Sequence, residues 1–321
     1  MPSSDAQVYG FGEKGYDWDR YARVRPKYPD SLCRQILDYH RAHGGSFDKA
    51  HDIGTGLGIV AQKYLISTFD HVFASDPVEH NIAAARERLG PREARGELTI
   101  HKAGAEERWL PNASIDLVTA FECLHWSNCH ESIPAIAAQL KSGGTFTALY
   151  YTPQPLILGN TRAQSAWHDV FEKFSVRQYE PDSTTTKFLG RCFHGLDGHV
   201  NLPSETWQPG ARWITINAEL LNIAGDFNHP ETPFQIGSRH IADGHTNLIG
   251  KDDICASVVD IETWSEIVDV VWLLDLVQSL QPKMPIERVE QELQELKAAL
   301  QETGGTVQIV WIVQVLLATK R

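Results

Sequence analysis

The chain has 321 residues, 42% of them hydrophobic, with a formal net charge of −12. That length buries a sizeable core, and the acidic balance excludes a sequence-independent grip on nucleic acid, which rests on clustered Lys and Arg. Five cysteines with no C-x-x-C pair exclude a disulfide framework and a cysteine zinc site.

The segment Met1–Asp5 leads into no apolar run of signal-peptide length, and no run reaches the ~18 residues of a membrane span. A soluble, cytoplasmic protein acting on a small molecule is expected. Residues 1–15 are polar and ordered only if they fold back. Tyr16 to Pro29 is rich in aromatics and arginine, including Tyr21, Arg25 and Tyr28. Such side chains stack and clamp carboxylates. The segment either covers a cofactor or an acidic substrate, or packs its rings on the domain; a lid does both.

Pro29-Asp30-Ser31 starts a helix with Leu32, Ile36 and Tyr39 on one face and Gly44-Gly45 past its end. A short strand over 48–53 leads into Asp52-Ile53-Gly54-Thr55-Gly56-Leu57-Gly58 and a helix from Ile59 to Leu65. The G-x-G pair lets backbone approach a ligand where a Cβ would collide, and the helix N–H groups face it. A dinucleotide fingerprint needs its third glycine at position 59, which is Ile59; the glycine falls at Gly58. The G-x-G-x-G spacing after Asp52 is similar to the first motif of class I S-adenosylmethionine-dependent methyltransferases. An acid there suits a cofactor carrying an ammonium and a sulfonium.

His71 to Asp76 reads as a buried strand, and Glu79 to Leu89 as a helix ending at Gly90. Asp76 is placed to accept from two ribose hydroxyls, or to cap that helix; the roles are compatible. Glu97 to His101 reads as a third strand. Ala105 and Glu106 after it either seat an adenine ring or form a plain surface turn. Ser114 to Phe121 is a buried fourth strand, and ligands of open α/β sheets lie beyond the strands' carboxyl ends. Phe121, Glu122, His125 and Trp126 therefore border the cofactor. His125 is either a general base or orienting group, or a packed histidine; His130 reads as a surface residue.

Glu131 to Leu140 forms the next helix, closed by Lys141 to Gly144, and Thr145 to Tyr151 the fifth strand. This alternation implies one doubly wound parallel sheet over 48–151. From Thr152 to about Pro285 the rhythm is lost among prolines (Pro153, Pro181, Pro230 and Pro233 among them) and glycines, with a helix from Ala163 to Phe174. Its aromatics mark a helical and looped cap rather than a linker. His168, His194, His199, His229, His240 and His245 lack metal-site spacing and read as non-ligands. Thr263 to Leu280 reads as an apolar helix, Ile286 to Gln301 as an amphipathic one, and Thr306 to Ala318 as the closing strand.

Together, Tyr21-Ala22-Arg23 with Arg25-Pro26 and Tyr28-Pro29, the Asp52–Gly58 turn, Asp76, Gly104-Ala105-Glu106, and Ser114–Ala120 followed by Leu124-His125-Trp126 resemble class I methyltransferases of the trans-aconitate type. Fungal relatives are the nearest likeness, with ends similar to Val307–Trp311. The resemblance covers residues 16–151 and is thin through the cap, apart from Trp207–Gly210 with Arg212 and the stretch near Trp264. It implies a Rossmann-like, doubly wound, mostly parallel seven-stranded sheet with a cap inserted before the C-terminal strand. The divisions are an arm or lid over 1–30, a core over 31–151, a substrate cap over 152–285 and a completing helix and strand over 286–321.

The resemblance implies S-adenosyl-L-methionine as cofactor, bound by Tyr21, Asp52, Gly54, Thr55 and Gly56, by Asp76 and Pro77 at the ribose, by Ala105 and Glu106 at the adenine, and by Phe121 and Glu122. It implies Arg25, Tyr28, Trp126 and Arg212 at the acceptor, His125 as base where one is needed, and no metal. Methyl transfer to a small acceptor is the expected activity. Two rivals share the fold: an enzyme of cyclisation or rearrangement, and a non-catalytic regulator. Neither the acceptor nor the oligomeric state follows from these residues.

Overall fold

Five short strands, each followed by a turn or helix, assemble as their apolar content dictates. In the computed structural model, which describes residues 15–171, 173, 195–222, 247–280 and 285–321, these are β1 (Lys49–Ile53), β2 (His71–Asp76), β3 (Leu98–Lys102), β4 (Ile115–Phe121) and β5 (Leu140–Tyr151). Expectations for residues 1–14, for the helix end at Phe174, for Pro181, Pro230 and Pro233, and for His194, His229, His240 and His245 lie outside the described residues. Every residue of β4 is buried, as suits a central parallel strand. The order β3-β2-β1-β4-β5 is parallel throughout. Strand order reverses between β1 and β4, so a crevice opens beyond their carboxyl ends.

The remaining strands are β6 (Leu156–Leu158), β7 (Arg212–Ile216), β8 (Ile254–Val258), β9 (Ser265–Asp269), β10 (Thr306–Val310) and β11 (Val313–Thr319). Strand β11 runs antiparallel between β5 and β7, and β8 joins the far side of β7 in parallel. The main sheet therefore has eight described strands rather than seven, of mixed orientation because β11 runs against its neighbours. The added edge strand β8 is exposed at all five positions, so it carries no burial pattern that would announce it. A second, antiparallel sheet runs β6-β10-β9.

Several boundaries differ from expectation for identifiable reasons. The apolar stretch Thr263–Leu280 is strand β9 followed by a helix over Val270–Leu280. In β9 Val268 is buried while Ile267 is 75% exposed, an alternation of period two enforced by pairing with β10. The run Thr306–Ala318 is two strands, broken where Trp311 turns inward. That ring lies 5.1 Å from the Tyr151 ring, and its backbone N–H donates to the Trp264 carbonyl. The helix Glu79–Ala94 passes through Gly90 and Pro91 and stops before Gly96, its last turn held by Arg92 and Arg95 on Glu97. Strand β5 starts directly after the helix Cys129–Gln139, so Lys141–Gly144 belong to it, with an irregularity opposite Ile115–Leu117.

The sheet buries both faces. On one, Ile36 and Tyr39 of the helix Asp30–Ala42 join Ile82 and Leu89 of the helix Glu79–Ala94, with Trp167, Leu276 and Leu296 contributed after the core. On the other, Ile133 and Ile136 meet Phe146, Trp207 and Trp213. The N-terminal helix Trp18–Val24 docks on the helix Val270–Leu280. Arg23 pairs with Asp275 at 2.7 Å, and the Tyr16 hydroxyl donates to the Ser279 carbonyl at 2.7 Å. Trp167, fully buried, donates its indole N–H to the Pro155 carbonyl at 3.0 Å, between the helices Thr161–Phe171 and Glu290–Gln301. Trp167→Ala is expected to cost about 3–5 kcal/mol, read as a lowered midpoint in urea unfolding.

Candidate functional site at the carboxyl ends of the strands

The turn after β1 is held by a buried acid. Asp52 accepts from the Thr55 hydroxyl and from Thr119 of β4, both at 2.7 Å. Burial pushes its carboxyl up to about 6, against the pull of the two threonines. Gly54 has a φ of 65°, and a Cβ there would lie 2.3 Å from the Cys123 Cβ. Gly56 has a φ of 51°, but its added Cβ would meet nothing within 4 Å. One glycine is thus required by protein packing, and the other faces open space above the turn.

Asp76, at the end of β2, reaches across to that turn. It accepts from the Gly56 N–H at 3.1 Å, the Val78 N–H at 2.9 Å and the Asn81 amide at 3.0 Å. Burial pushes it also up to about 6. Val78 is the N-cap residue of the following helix and has no side-chain cap bond, so Asp76 ties the helix entry through the Val78 N–H. Beyond β3, Ala105 and Glu106 are half-buried, and one Glu106 oxygen accepts from the Asn128 N–H at 2.7 Å. Pro77 is exposed between these two turns.

Past β4 the chain bends at Glu122, a non-glycine residue with a φ of 54°. Such backbone costs about 1–3 kcal/mol and persists where the surroundings over-determine it. Glu122 donates its N–H to the Leu149 carbonyl, and its carboxylate accepts the Tyr151 N–H. The enclosing protein pushes its carboxyl up to about 8, against the lowering by that bond and by Arg25. The residue as a whole is half-buried. Arg25 is 7% exposed, lies over the Tyr21 ring at 4.8 Å and donates to the Ser279 hydroxyl at 3.0 Å. Tyr28 meets Phe121 edge-on at 5.3 Å. Tyr16, Tyr21, Tyr151 and Glu122 all act electrostatically on Arg25.

Of the residues expected from sequence, Tyr21, Arg25, Tyr28, Phe121 and Glu122 form one group, adjacent through Cys123 to the Asp52–Gly58 turn. His125 is elsewhere. It is buried in a short 3-10 helix, its ring 5.3 Å from Tyr150 and 5.5 Å from Trp126. Tyr150 and Tyr151 are successive on β5 and point to opposite faces, so His125 and the Arg25 group lie on opposite sides of the sheet end.

Arg212 is not brought to this group. It begins β7, four strands from β1 in the sheet order, and its register partners place it level with Thr147, not Tyr151. That is about 13 Å below the carboxyl end at ~3.3 Å per residue. It lies over the Tyr39 ring at 5.4 Å and lines a groove of about 540 Å³ with Arg34, Asp38 and Trp264. Sequence reading missed Thr119, Asn81 and Tyr151. Only Tyr151 carried a signal, as the last residue of a strand aimed at the crevice.

Residues 51–148 match the methyltransferase domain family. Methyltransferase tpcM of Aspergillus fumigatus is 30% identical over 213 residues, 65% of this chain and 64% of that protein. The match thus spans less than two thirds of that relative's length. Methyltransferase pgmE of Aspergillus terreus is 28% identical over 322 residues, 94% of this chain and 93% of its own. A solved structure from Anaeromyxobacter dehalogenans, described as a candidate type II methyltransferase, superposes with a TM-score of 0.55 at 16% identity, covering 91% of this chain and 97% of that one. At that identity the likeness is one of fold.

The two turn glycines are expected to part company on substitution. Gly54→Ala must displace Cys123 as well as adopt a left-handed backbone, whereas Gly56→Ala carries only the backbone cost of about 1–2 kcal/mol. Thermal melts should show the first falling well below the second.

Proposed function

We infer that this chain is a class I S-adenosylmethionine-dependent methyltransferase, related to fungal methyltransferases, that methylates a small-molecule acceptor. The observation that carries this reading is the cradle at Gly56, where left-handed backbone borders open space between the Asp52-held turn and the Asp76 carboxylate. A buried acid beside open backbone suits a ligand with ribose hydroxyls and cationic groups. Bound there, S-adenosylmethionine supplies an electrophilic methyl on a positively charged sulfur.

Asp76 accepts from the ribose hydroxyls, with Pro77 beside it, and exchanges its bond to Gly56 for them. Gly54, Thr55 and Gly56 receive the amino-acid end. Asp52 acts through the turn, since both its oxygens already accept threonine hydroxyls. Ala105 and Glu106 border the adenine, Tyr21 and Phe121 cover the reacting end, and Arg25 and Tyr28 face the acceptor, with Trp126 at its margin. His125, packed on Tyr150, orients the opposite wall. Alignment of donor and acceptor is the protein's main contribution, worth roughly 7 to 11 kcal/mol.

Finer readings belong to the same proposal. The trans-aconitate type rests on the Tyr21-Ala22-Arg23 and Arg25-Pro26 likeness, with a small acceptor closed in by the arm over 1–30 and the cap over 152–285 around the core over 31–151 and its completion over 286–321. The net charge of −12 favours no nucleic-acid substrate. No helix among the described residues is long and apolar enough to cross a membrane, and a cytoplasmic location accords with the cysteine usage.

Calorimetric titration with S-adenosylmethionine and S-adenosylhomocysteine tests the reading. Micromolar binding is expected, falling at least tenfold in Asp76→Ala; no binding of either ligand refutes it. Because protonation removes the acceptor that the ribose needs, affinity should weaken as pH falls through about 6, where Asp76 gains its proton, and that dependence should be reduced in Asp76→Asn.

A further inference from the structure

Resting on the methyl-transfer reading, we propose that Glu122 is the proton acceptor for the acceptor molecule, which is therefore a hydroxyl compound rather than a carboxylate. Four observations converge on this residue. Its Cα follows β4 directly, and the next residue, Cys123, abuts Gly54, so Glu122 stands beside the turn that receives the methyl donor. Its backbone is held in the left-handed region at φ 54° by its own N–H on Leu149 and its carboxylate on the Tyr151 N–H. The residue as a whole is only half-buried, unlike Asp52 and Asp76 at 2% and 5%. Arg25, whose guanidinium lies on the Tyr21 ring, acts electrostatically on its carboxyl. A strained acid next to the residue that abuts the turn, within electrostatic reach of a buried cation, is placed for chemistry rather than packing.

The titratable and charged groups in electrostatic reach of it are Arg25, Tyr21 and Tyr28 from the N-terminal segment and Tyr151 from β5, with Cys123 the next residue past β4. Arg25 is the one permanent charge among them. In the step, the acceptor oxygen forms a bond to the methyl carbon while the methyl–sulfur bond breaks with its electron pair remaining on sulfur. The hydroxyl proton passes to the Glu122 carboxylate, and Arg25 holds the negative charge developing on oxygen. A carboxylate acceptor brings no proton and is repelled by ionised Glu122, whereas a hydroxyl uses the group in place. The conjugate acid, which burial holds up to about 8, returns its proton to solvent when product leaves, and the ionised base is restored most fully above that pH. His125, on the opposite face, has no part in this transfer.

The test uses 4-nitrophenol as probe, because its visible phenolate band reports the proton on its oxygen without turnover. It is titrated from pH 6 to 10 on the full chain loaded with S-adenosylhomocysteine, in the wild type and in Glu122→Gln, which keeps an oxygen for the Tyr151 N–H. In the wild type the bound probe should ionise in two coupled steps, since probe and carboxyl share protons. In Glu122→Gln it should ionise in a single step shifted at least one pH unit lower, as the opposing carboxylate is gone and Arg25 remains. A probe that does not bind the loaded wild type, or that titrates in one unshifted step in both proteins, overturns the proposal. Calorimetry of S-adenosylhomocysteine separates the two levels: failure of the wild type itself to bind refutes the methyl-transfer reading, whereas a wild type that binds it while the probe titration is unchanged by Glu122→Gln overturns only the present proposal.

Discussion

The buried Asp52 carboxyl is the constraint on which the working end of the sheet depends. Removing an acid from water costs several kcal/mol unless its lone pairs are filled, and here Thr55 and Thr119 fill them. Those two bonds tie the turn after β1 to the adjacent strand β4. The tie fixes how closely Cys123 approaches Gly54, and thereby where Glu122 must bend. Asp76 adds a second tie from β2 through the Gly56 N–H. Three strands and one turn are locked by two acids, and every group placed around the crevice takes its position from that lock.

The crevice is walled by segments far apart in sequence. Tyr16 and Arg25 reach Ser279, and Arg20 and Arg23 reach Asp275. Partly exposed ion pairs of this kind are worth only ~0–1 kcal/mol each. Within the N-terminal segment itself Tyr16, Trp18 and Tyr21 meet edge to face at 4.8 to 6.3 Å, and each such ring pair adds about 0.5–1.5 kcal/mol beyond burial to the segment's own order. The helix Trp18–Val24, with Tyr16 and Arg25 flanking it, and the helix Val270–Leu280 are thus joined by polar ties that are individually weak.

Sequence reading found the parts of the fold with local signals and missed those without. Strands β1, β2 and β4 end in residues that turn chemistry or alternation announces, and the helix Asp30–Ala42 follows its apolar face. In contrast, Ser265–Asp269 reads as helix because the apolar run continues into a true helix; only the partner β10, forty residues on, makes it a strand. The break at Trp311 is equally nonlocal, set by Tyr151 and Trp264. At the site, Asp76 and the glycines were legible because spacing encodes them. The bend at Glu122 was not, because a left-handed φ at a glutamate is imposed by neighbours and leaves no mark in composition. Arg212 was misassigned to the acceptor because position along the strand, not residue type, decides which end of the sheet it serves.

The insertion of β11 between β5 and β7 has a consequence for how the protein is made. Strand β11 lies between β5 and β7 yet follows both β7 and β8 along the chain, so those two strands have no route into the sheet until β11 has left the ribosome. The aromatic arm, synthesised first, likewise waits for a docking helix more than 240 residues downstream. A nascent chain of this topology exposes strand edges and tyrosines for most of its synthesis, and domains of such order lean on chaperones. Without β11, β7 would keep only β8 as a partner and the pair would be cut off from β5.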